Sequence, residues 1–252
     1  MGVIGLEARA SVAKRAAWSA LNASQLVFTL AWSAGCIALA LLVRRLGGGR
    51  THLPLRMASR VWAPGLLHGA MARVRVEGLE NVDWSRPHVF VANHQSIIDV
   101  CALFRALPVP LRFVLKQELA AVPFIGWYAR AMGMVFIERG KAHSAARSLQ
   151  TAAQLLDGGA NLCAFPEGTR SRGGELRPFK GGVFQAAIAA QVPVVPIAID
   201  GSGAVLPPSG FRVRPGTIRV RIGSPIPTLG LQAHDRQQLA QRAHDAVAEL
   251  TR

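Results

Sequence analysis

Hydrophobic and polar positions divide the chain into two parts with different periods. No charged residue occurs between Ala16 and Val43, and LVFTLAWSAGCIALALLV (26–43) is apolar enough to lie in hydrocarbon. As a helix these 18 residues would be about 27 Å long, near the ~30 Å of a bilayer core. The next stretch, LPLRMASRVWAPGLLHGAMARV (53–74), mixes Leu, Met, Trp and Val with Arg and His around a Pro64-Gly65 break, the composition of an amphipathic interfacial element. Together the two segments predict a membrane-associated helical hairpin over residues 1–72. The competing reading of the second segment is a plain core helix.

From residue 73 onward, short β-branched and aromatic runs alternate with helix-length segments. Strands are expected at 73–77, 88–92, 112–115, 134–137, 162–165, 194–199 and 217–222. Helices are expected at 97–106, 118–132 (broken by Pro123), 143–157, 181–190 and 233–251. That order predicts an α/β domain over residues 73–252, with a central, mostly parallel or mixed sheet flanked by helices. VPVVPIAI (192–199) carries two prolines and is expected to be a poor central strand, suited to an edge or a substrate wall.

Charge narrows the class of partner. The net charge of +15 comes from 25 Arg and 4 Lys against 14 acidic residues, which favours phospholipid head groups, a polyphosphate cofactor, an acidic carrier protein or nucleic acid. Scattered arginines and the lack of a reader motif argue against nucleic acid. Basic residues flank the apolar run on both sides, with a small bias toward a cytoplasmic C-terminal side. The three cysteines are an odd number without metal-ligand spacing, as expected of a reducing compartment.

Candidate chemistry starts at VANHQSIIDV (91–100). His94 and Asp99 are five positions apart, so within one regular helix they would point roughly 140° away from each other. If the strand ends at Ala92 and Ser96 caps a helix beginning at Ile97, His94 lies outside the helix and can fold back onto Asp99. Asp99 also has a purely structural reading, because Ser96-Ile97-Ile98-Asp99 has the form of a capping box. GMVFIERG (133–140) is a strand running into Glu138 and Arg139. AFPEGTRSRGGELRPFKGG (164–182) is a strand followed by a glycine-rich loop with Arg170, Arg172, Arg177 and Lys180, suited to a phosphate unless it is simply solvated. KQELAAVPFIGWYARAMG (116–133) has the apolar bulk of an acyl tunnel wall or, more simply, of core.

In the order NHQSIID, KxELxxxPFxGW, GMVFIER, FPEGTRS and VPVVPIAI, these blocks resemble the glycerolipid acyltransferases, specifically the bacterial 1-acyl-sn-glycerol-3-phosphate acyltransferases, over residues 73–225. The resemblance implies that His94 is a general base and Asp99 orients its imidazole. It also implies that Arg139, Glu167, Gly168, Thr169 and Arg170 hold the glycerol-phosphate of the acceptor. One departure is Glu138, which stands where many members have Asp. No enzyme nucleophile is implied, in keeping with the absence of a G-x-S-x-G elbow. No cofactor is implied either: acyl-CoA or acyl-carrier protein is the donor substrate, lysophosphatidic acid the acceptor and phosphatidic acid the product. The implied setting is among membrane phospholipids at the cytoplasmic face of the inner membrane. Two alternatives are acylation of another lysolipid, such as lyso-ornithine lipid, and a non-catalytic membrane lipid-binding protein, which would have no use for His94 and Asp99.

Overall fold

A computed structural model describes residues 3–138, 142–171 and 175–252. Strands form at Ala72–Glu77 (β1), Val89–Ala92 (β2), Leu111–Lys116 (β3), Val135–Ile137 (β4), Asn161–Ala164 (β5), Val194–Asp200 (β6) and Gly216–Ile222 (β7). Helices form at Val3–Leu46 (α1), His52–Met57 (α2), Ala63–Gly69 (α3), Asp99–Ala106 (α4), Ile125–Ala131 (α5), Ala142–Asp157 (α6), Gly182–Ala189 (α7), Ser202–Val205 (α8) and Arg236–Leu250 (α9). The strands make one sheet in the order β1-β7-β6-β2-β5-β3-β4, as the alternating pattern predicts. Every neighbouring pair is parallel except β6 and β7, so β1 and β7 run against the rest.

The middle of the sheet is buried on both faces, which is why its strands read as continuous apolar runs. In β2, Phe90 and Ala92 join one core with Leu55, Leu67, Leu103 and Phe113, under α2, α3 and α4. Val89 and Val91 point the other way, into a second core with Leu156, Phe184, Ala187 and Val247 from α6, α7 and α9.

Three sequence expectations change on folding. First, VPVVPIAI is not an edge: β6 lies between β7 and β2, and Val194, Val195, Ile197, Ala198 and Ile199 are all buried. Pro196 is tolerated there because β7 ends at Ile222 and the ladder breaks beside it. The Pro196 carbonyl accepts from Gly223 N–H at 2.9 Å, and its missing donor falls on this same interrupted side. Second, residues 53–74 are not purely interfacial, since Leu55, Ala58, Ala63, Leu67 and Ala70 belong to the same core as the sheet. Third, the 116–133 stretch is only partly core. Ala129 and Met132 are buried, whereas Val122, Phe124, Ile125 and Trp127 are exposed.

Helix α1 is one uninterrupted element, and its part from Ala16 to Leu46 is long and apolar enough to cross a membrane. One stripe of it docks antiparallel on α2 and α3, completing the expected hairpin. Trp32 Nε1 donates to the Trp62 carbonyl (3.2 Å), Trp62 Nε1 to Ser33 Oγ (3.1 Å) and Gln25 Nε2 to the Gly69 carbonyl (3.2 Å). The approach is close because two glycines face it: a Cβ at Gly65 would land on the Trp32 indole and one at Gly69 on the Phe28 ring. The opposite stripe, including Val27, Leu30, Leu39 and Leu42, is exposed. The double change Gly65→Ala and Gly69→Ala should therefore cost about 1–3 kcal/mol per site through overpacking. Thermal unfolding in detergent should show a lower midpoint and limited proteolysis a faster cut between α1 and α2; an unchanged midpoint would mean that α1 does not pack in this way.

Candidate active site

The site forms where β2 and β5 end side by side. Their parallel register pairs Val89 with Leu162 and Val91 with Ala164. The same offset of 73 positions persists beyond the strands, where His94 N–H donates to Glu167 Oε1 at 2.7 Å. The chain leaves β2 through α4 on one face, toward β3, and leaves β5 through α7 on the other face, toward β6. The two connections diverge, so the carboxyl ends of β2 and β5 open into the kind of crevice in which α/β sheets bind ligands.

Asn93 sets the geometry of the turn that follows β2. Its side chain replaces a backbone pair across to β6, donating to the Ile199 carbonyl (2.8 Å) and accepting from Ile199 N–H (2.7 Å). With Asn93 held there, His94 leaves the sheet and its carbonyl accepts from Ser171 N–H at 2.8 Å. Its ring stacks on Phe165, with centroids 4.0 Å apart and planes 15° from parallel.

Asp99 is the first residue of α4 and is fully buried. Its Oδ2 receives His94 Nδ1 at 2.8 Å and the backbone N–H groups of Gln95 and Ser96, each also at 2.8 Å. The contacts expected of a capping residue and of a partner to the His94 ring are thus both made by one oxygen. The helix starts two residues later than expected from a Ser96 cap. The Ser96 hydroxyl instead donates to the Leu206 carbonyl at 2.5 Å, tying the turn to the segment after α8. An ionised Asp99 accepts from Nδ1–H, which assigns the proton to Nδ1 and leaves the Nε2 lone pair as the basic site. The His94 side chain keeps 18% of its surface exposed, so a substrate can reach it.

Glu167 supports the same turn from β5. It is buried; Oε1 accepts from His94 N–H, and Oε2 from Arg177 N–H at 3.2 Å. Burial pushes its carboxyl above the usual range, while the two N–H donors pull it back. Gly168 turns the chain in the left-handed region (φ 75°), and its N–H donates to the Phe165 carbonyl at 3.0 Å. Thr169 and Arg170 follow on the exposed surface, and Arg177 and Lys180 are exposed as well. The structure thus brings His94, Asp99 and Glu167 into one network, with Gly168, Thr169 and Arg170 on its rim. Arg139 lies outside the described residues. Asn93, Phe165 and Ser171 lie within the NHQSIID and FPEGTRS blocks, but the sequence assigns them no role. The shared register of β2 and β5 is the signal that would have placed Phe165 beside His94, and the roles of the other two rest on contacts to β6 and to the His94 carbonyl.

Cys101, in the first turn of α4, is buried, and desolvation together with the Asp99 charge pushes its thiol up to about 12, so it stays un-ionised. All three cysteines are free thiols.

A family model described as Acyltransferase matches residues 73–200. The chain is 36% identical over 170 residues to a chloroplastic 1-acyl-sn-glycerol-3-phosphate acyltransferase of Brassica napus, an alignment covering 67% of this chain and 49% of that one. It therefore spans about half the length of this relative. It is 35% identical over 244 residues to a lyso-ornithine lipid O-acyltransferase of Pseudomonas aeruginosa, covering 90% of this chain and 91% of the relative. The crystal structure of the 1-acyl-sn-glycerophosphate acyltransferase of Thermotoga maritima superposes with a TM-score of 0.69 at 26% identity, covering 92% of this chain and 98% of that one. Because the matched region carries His94, Asp99 and the whole Pro166–Ser171 loop and extends over just more than half of the residues, the chain belongs to the glycerolipid acyltransferase family.

Proposed function

We propose that the protein transfers an acyl chain from an acyl thioester, acyl-CoA or acyl-carrier protein, to the free sn-2 hydroxyl of a 1-acylglycerol-3-phosphate, making phosphatidic acid at the cytoplasmic face of the inner membrane. The observation that carries this reading is the His94–Asp99 pair at the open ends of β2 and β5, with Nε2 left basic and reachable. In the reaction, Nε2 takes the proton of the lipid hydroxyl as its oxygen bonds to the thioester carbonyl carbon. The tetrahedral intermediate collapses by breaking the C–S bond, and the leaving sulfur takes the proton back from the imidazolium. The thioester is already activated, so most of the rate enhancement comes from bringing hydroxyl, base and carbonyl together. Asp99 holds the ring in the required tautomer and stabilises its charged form.

Arg170 is assigned to the acceptor's phosphate, and Arg139 shares that assignment on the family resemblance alone, because a guanidinium fork binds a phosphate monoester through charge-assisted pairs. Glu167, Gly168 and Thr169 shape the loop that presents it. A second reading, acylation of a lyso-ornithine lipid, is favoured by the near full-length match to the Pseudomonas aeruginosa enzyme of that name. The base and the chemistry are then the same and only the acceptor head group differs.

His94→Ala should lower turnover by roughly 10²- to 10⁴-fold while leaving the fold and membrane association intact, measured as radiolabelled acyl transfer alongside circular dichroism. A folded variant with near-normal transfer would remove the base assignment. Arg170→Ala separates the acceptors. With lysophosphatidic acid its apparent KM should rise about tenfold or more while the donor KM stays put, because a charge-assisted contact made in ground and transition states alike is lost. Unchanged lysophosphatidic acid kinetics, with product forming from lyso-ornithine lipid when the products are analysed by mass spectrometry, would make the second acceptor the correct one.

A further inference from the structure

The six residues Val122–Trp127 form an exposed apolar projection that neither the hydrophobic core nor the catalytic network uses. Val122, Phe124, Ile125 and Trp127 are 39, 41, 44 and 50% exposed. So much apolar surface within one turn is unusual for a face that meets only water. The projection is also rigidly built. Phe124 has φ 61° and ψ −57°, and Ile125 N–H donates to the Pro123 carbonyl at 2.7 Å, which together make a γ-turn of the rare, strained hand. Strain of this kind persists only when the surroundings enforce it. Here Gly126 packs so closely on the Ala120 carbonyl that a Cβ has no room, Gly126 N–H donates to the Val122 carbonyl (2.8 Å) and the Arg130 guanidinium donates to the Ala120 carbonyl (2.5 Å).

Its position gives it a partner. β3 is parallel to β5, and β5 to β2, so the carboxyl end of β3 at Lys116 lies at the same end of the sheet as His94 and Glu167. The short 3-10 helix Gln117–Ala121 and the turn follow directly from it. Ile97, 61% exposed in the turn after His94, adds apolar surface at this end, and Arg170, Arg177 and Lys180 add exposed positive charge. The membrane-length helix reaches this end too: Asn22 of α1 accepts from Val213 N–H (2.6 Å) in the segment leading into β7, and β7 starts where β6 stops. Helix α1 also packs against α5, the helix that begins within this projection.

We propose that Val122–Trp127 is a second membrane contact, an apolar wedge that enters the interface of an anionic bilayer and seats the open end of the sheet on it. The chemistry fits that surface: Trp and Phe occupy the level between head groups and acyl chains, while the exposed Arg170, Arg177 and Lys180 at the same end of the sheet meet lipid phosphates. The wedge thus supplements α1. The helix keeps the chain at the membrane, and the wedge sets the orientation in which His94 meets a lipid.

Two measurements test this on the full chain. In vesicles of phosphatidylethanolamine and phosphatidylglycerol, the fluorescence difference between the wild type and Trp127→Phe isolates Trp127. That component should be blue-shifted and quenched by lipids brominated near the top of the acyl chain. A component that emits as a water-exposed indole and is quenched by iodide overturns the proposal. So does one shielded from iodide yet untouched by brominated lipid, which would place the patch against a second copy of the chain. The second measurement rests on the acyl-transfer reading. The double variant Phe124→Ser, Trp127→Ser should raise the apparent KM for acceptor presented in vesicles by roughly tenfold, with little change for acceptor dispersed in detergent. Equal losses in both presentations would overturn the wedge. If the wild type transfers no acyl group at all, the proposed function fails, and the quenching measurement still decides the wedge.

Discussion

The Asp99 carboxylate is fully buried at the start of α4, and one of its oxygens accepts from His94 Nδ1 and from two consecutive backbone N–H groups. A buried anion costs several kcal/mol unless donors surround it, and here the donors come from the turn it must shape. The positive end of the α4 helix dipole adds to them. The backbone bonds fix the Gln95-Ser96 turn, the turn fixes where His94 leaves the sheet, and the ring bond fixes which nitrogen is basic. If the carboxylate were removed, the turn would lose two partners and the imidazole its orientation together, so fold and chemistry are coupled at this residue.

A second constraint acts through the sheet. Parallel pairing of β2 with β5 brings two segments 73 positions apart into step, and Glu167 uses that step to hold the backbone of His94 on one oxygen and of Arg177 on the other. The loop with Arg170 is thereby tied to His94 through one buried carboxylate. Asn93 does the corresponding work on the other side, joining the turn to β6. Three buried polar side chains thus take over the hydrogen bonding where the strands themselves stop, as a site at the end of a sheet requires.

The helical N-terminal part answers to a different demand. One stripe of α1 is shaped to α2 and α3, with glycines admitting Trp32 and Phe28, and the stripe facing away exposes Val27, Leu30, Leu39 and Leu42. Because Leu55, Ala63 and Leu67 lie in the core of the sheet, the helices are joined to the α/β part by packing. Their orientation relative to His94 is therefore set by the fold.

Much of this was legible in the chain. Periodicity located all seven strands to within one residue at every boundary, because the central strands, buried on both faces, are short continuous apolar runs, while β1 and β7, each with one exposed face, alternate apolar and polar residues. The spacing of His94 and Asp99 required a break between strand and helix, and the order of blocks identified the family. Pairing partners were not legible: β6 reads as an edge because of its prolines, and only the end of β7 at Ile222 explains why Pro196 can lie in the middle of the sheet. Nor does local sequence say that Phe165 lies under the imidazole, that Asn93 bonds to Ile199, or that Phe124 and Trp127 face outward rather than inward. Hydrophobicity and helix signals are properties of neighbouring residues, so the sequence alone determined the elements and the candidate chemistry. Register, strand order and the choice between core and surface depend on contacts between distant segments, so only the tertiary structure decided which side chains meet.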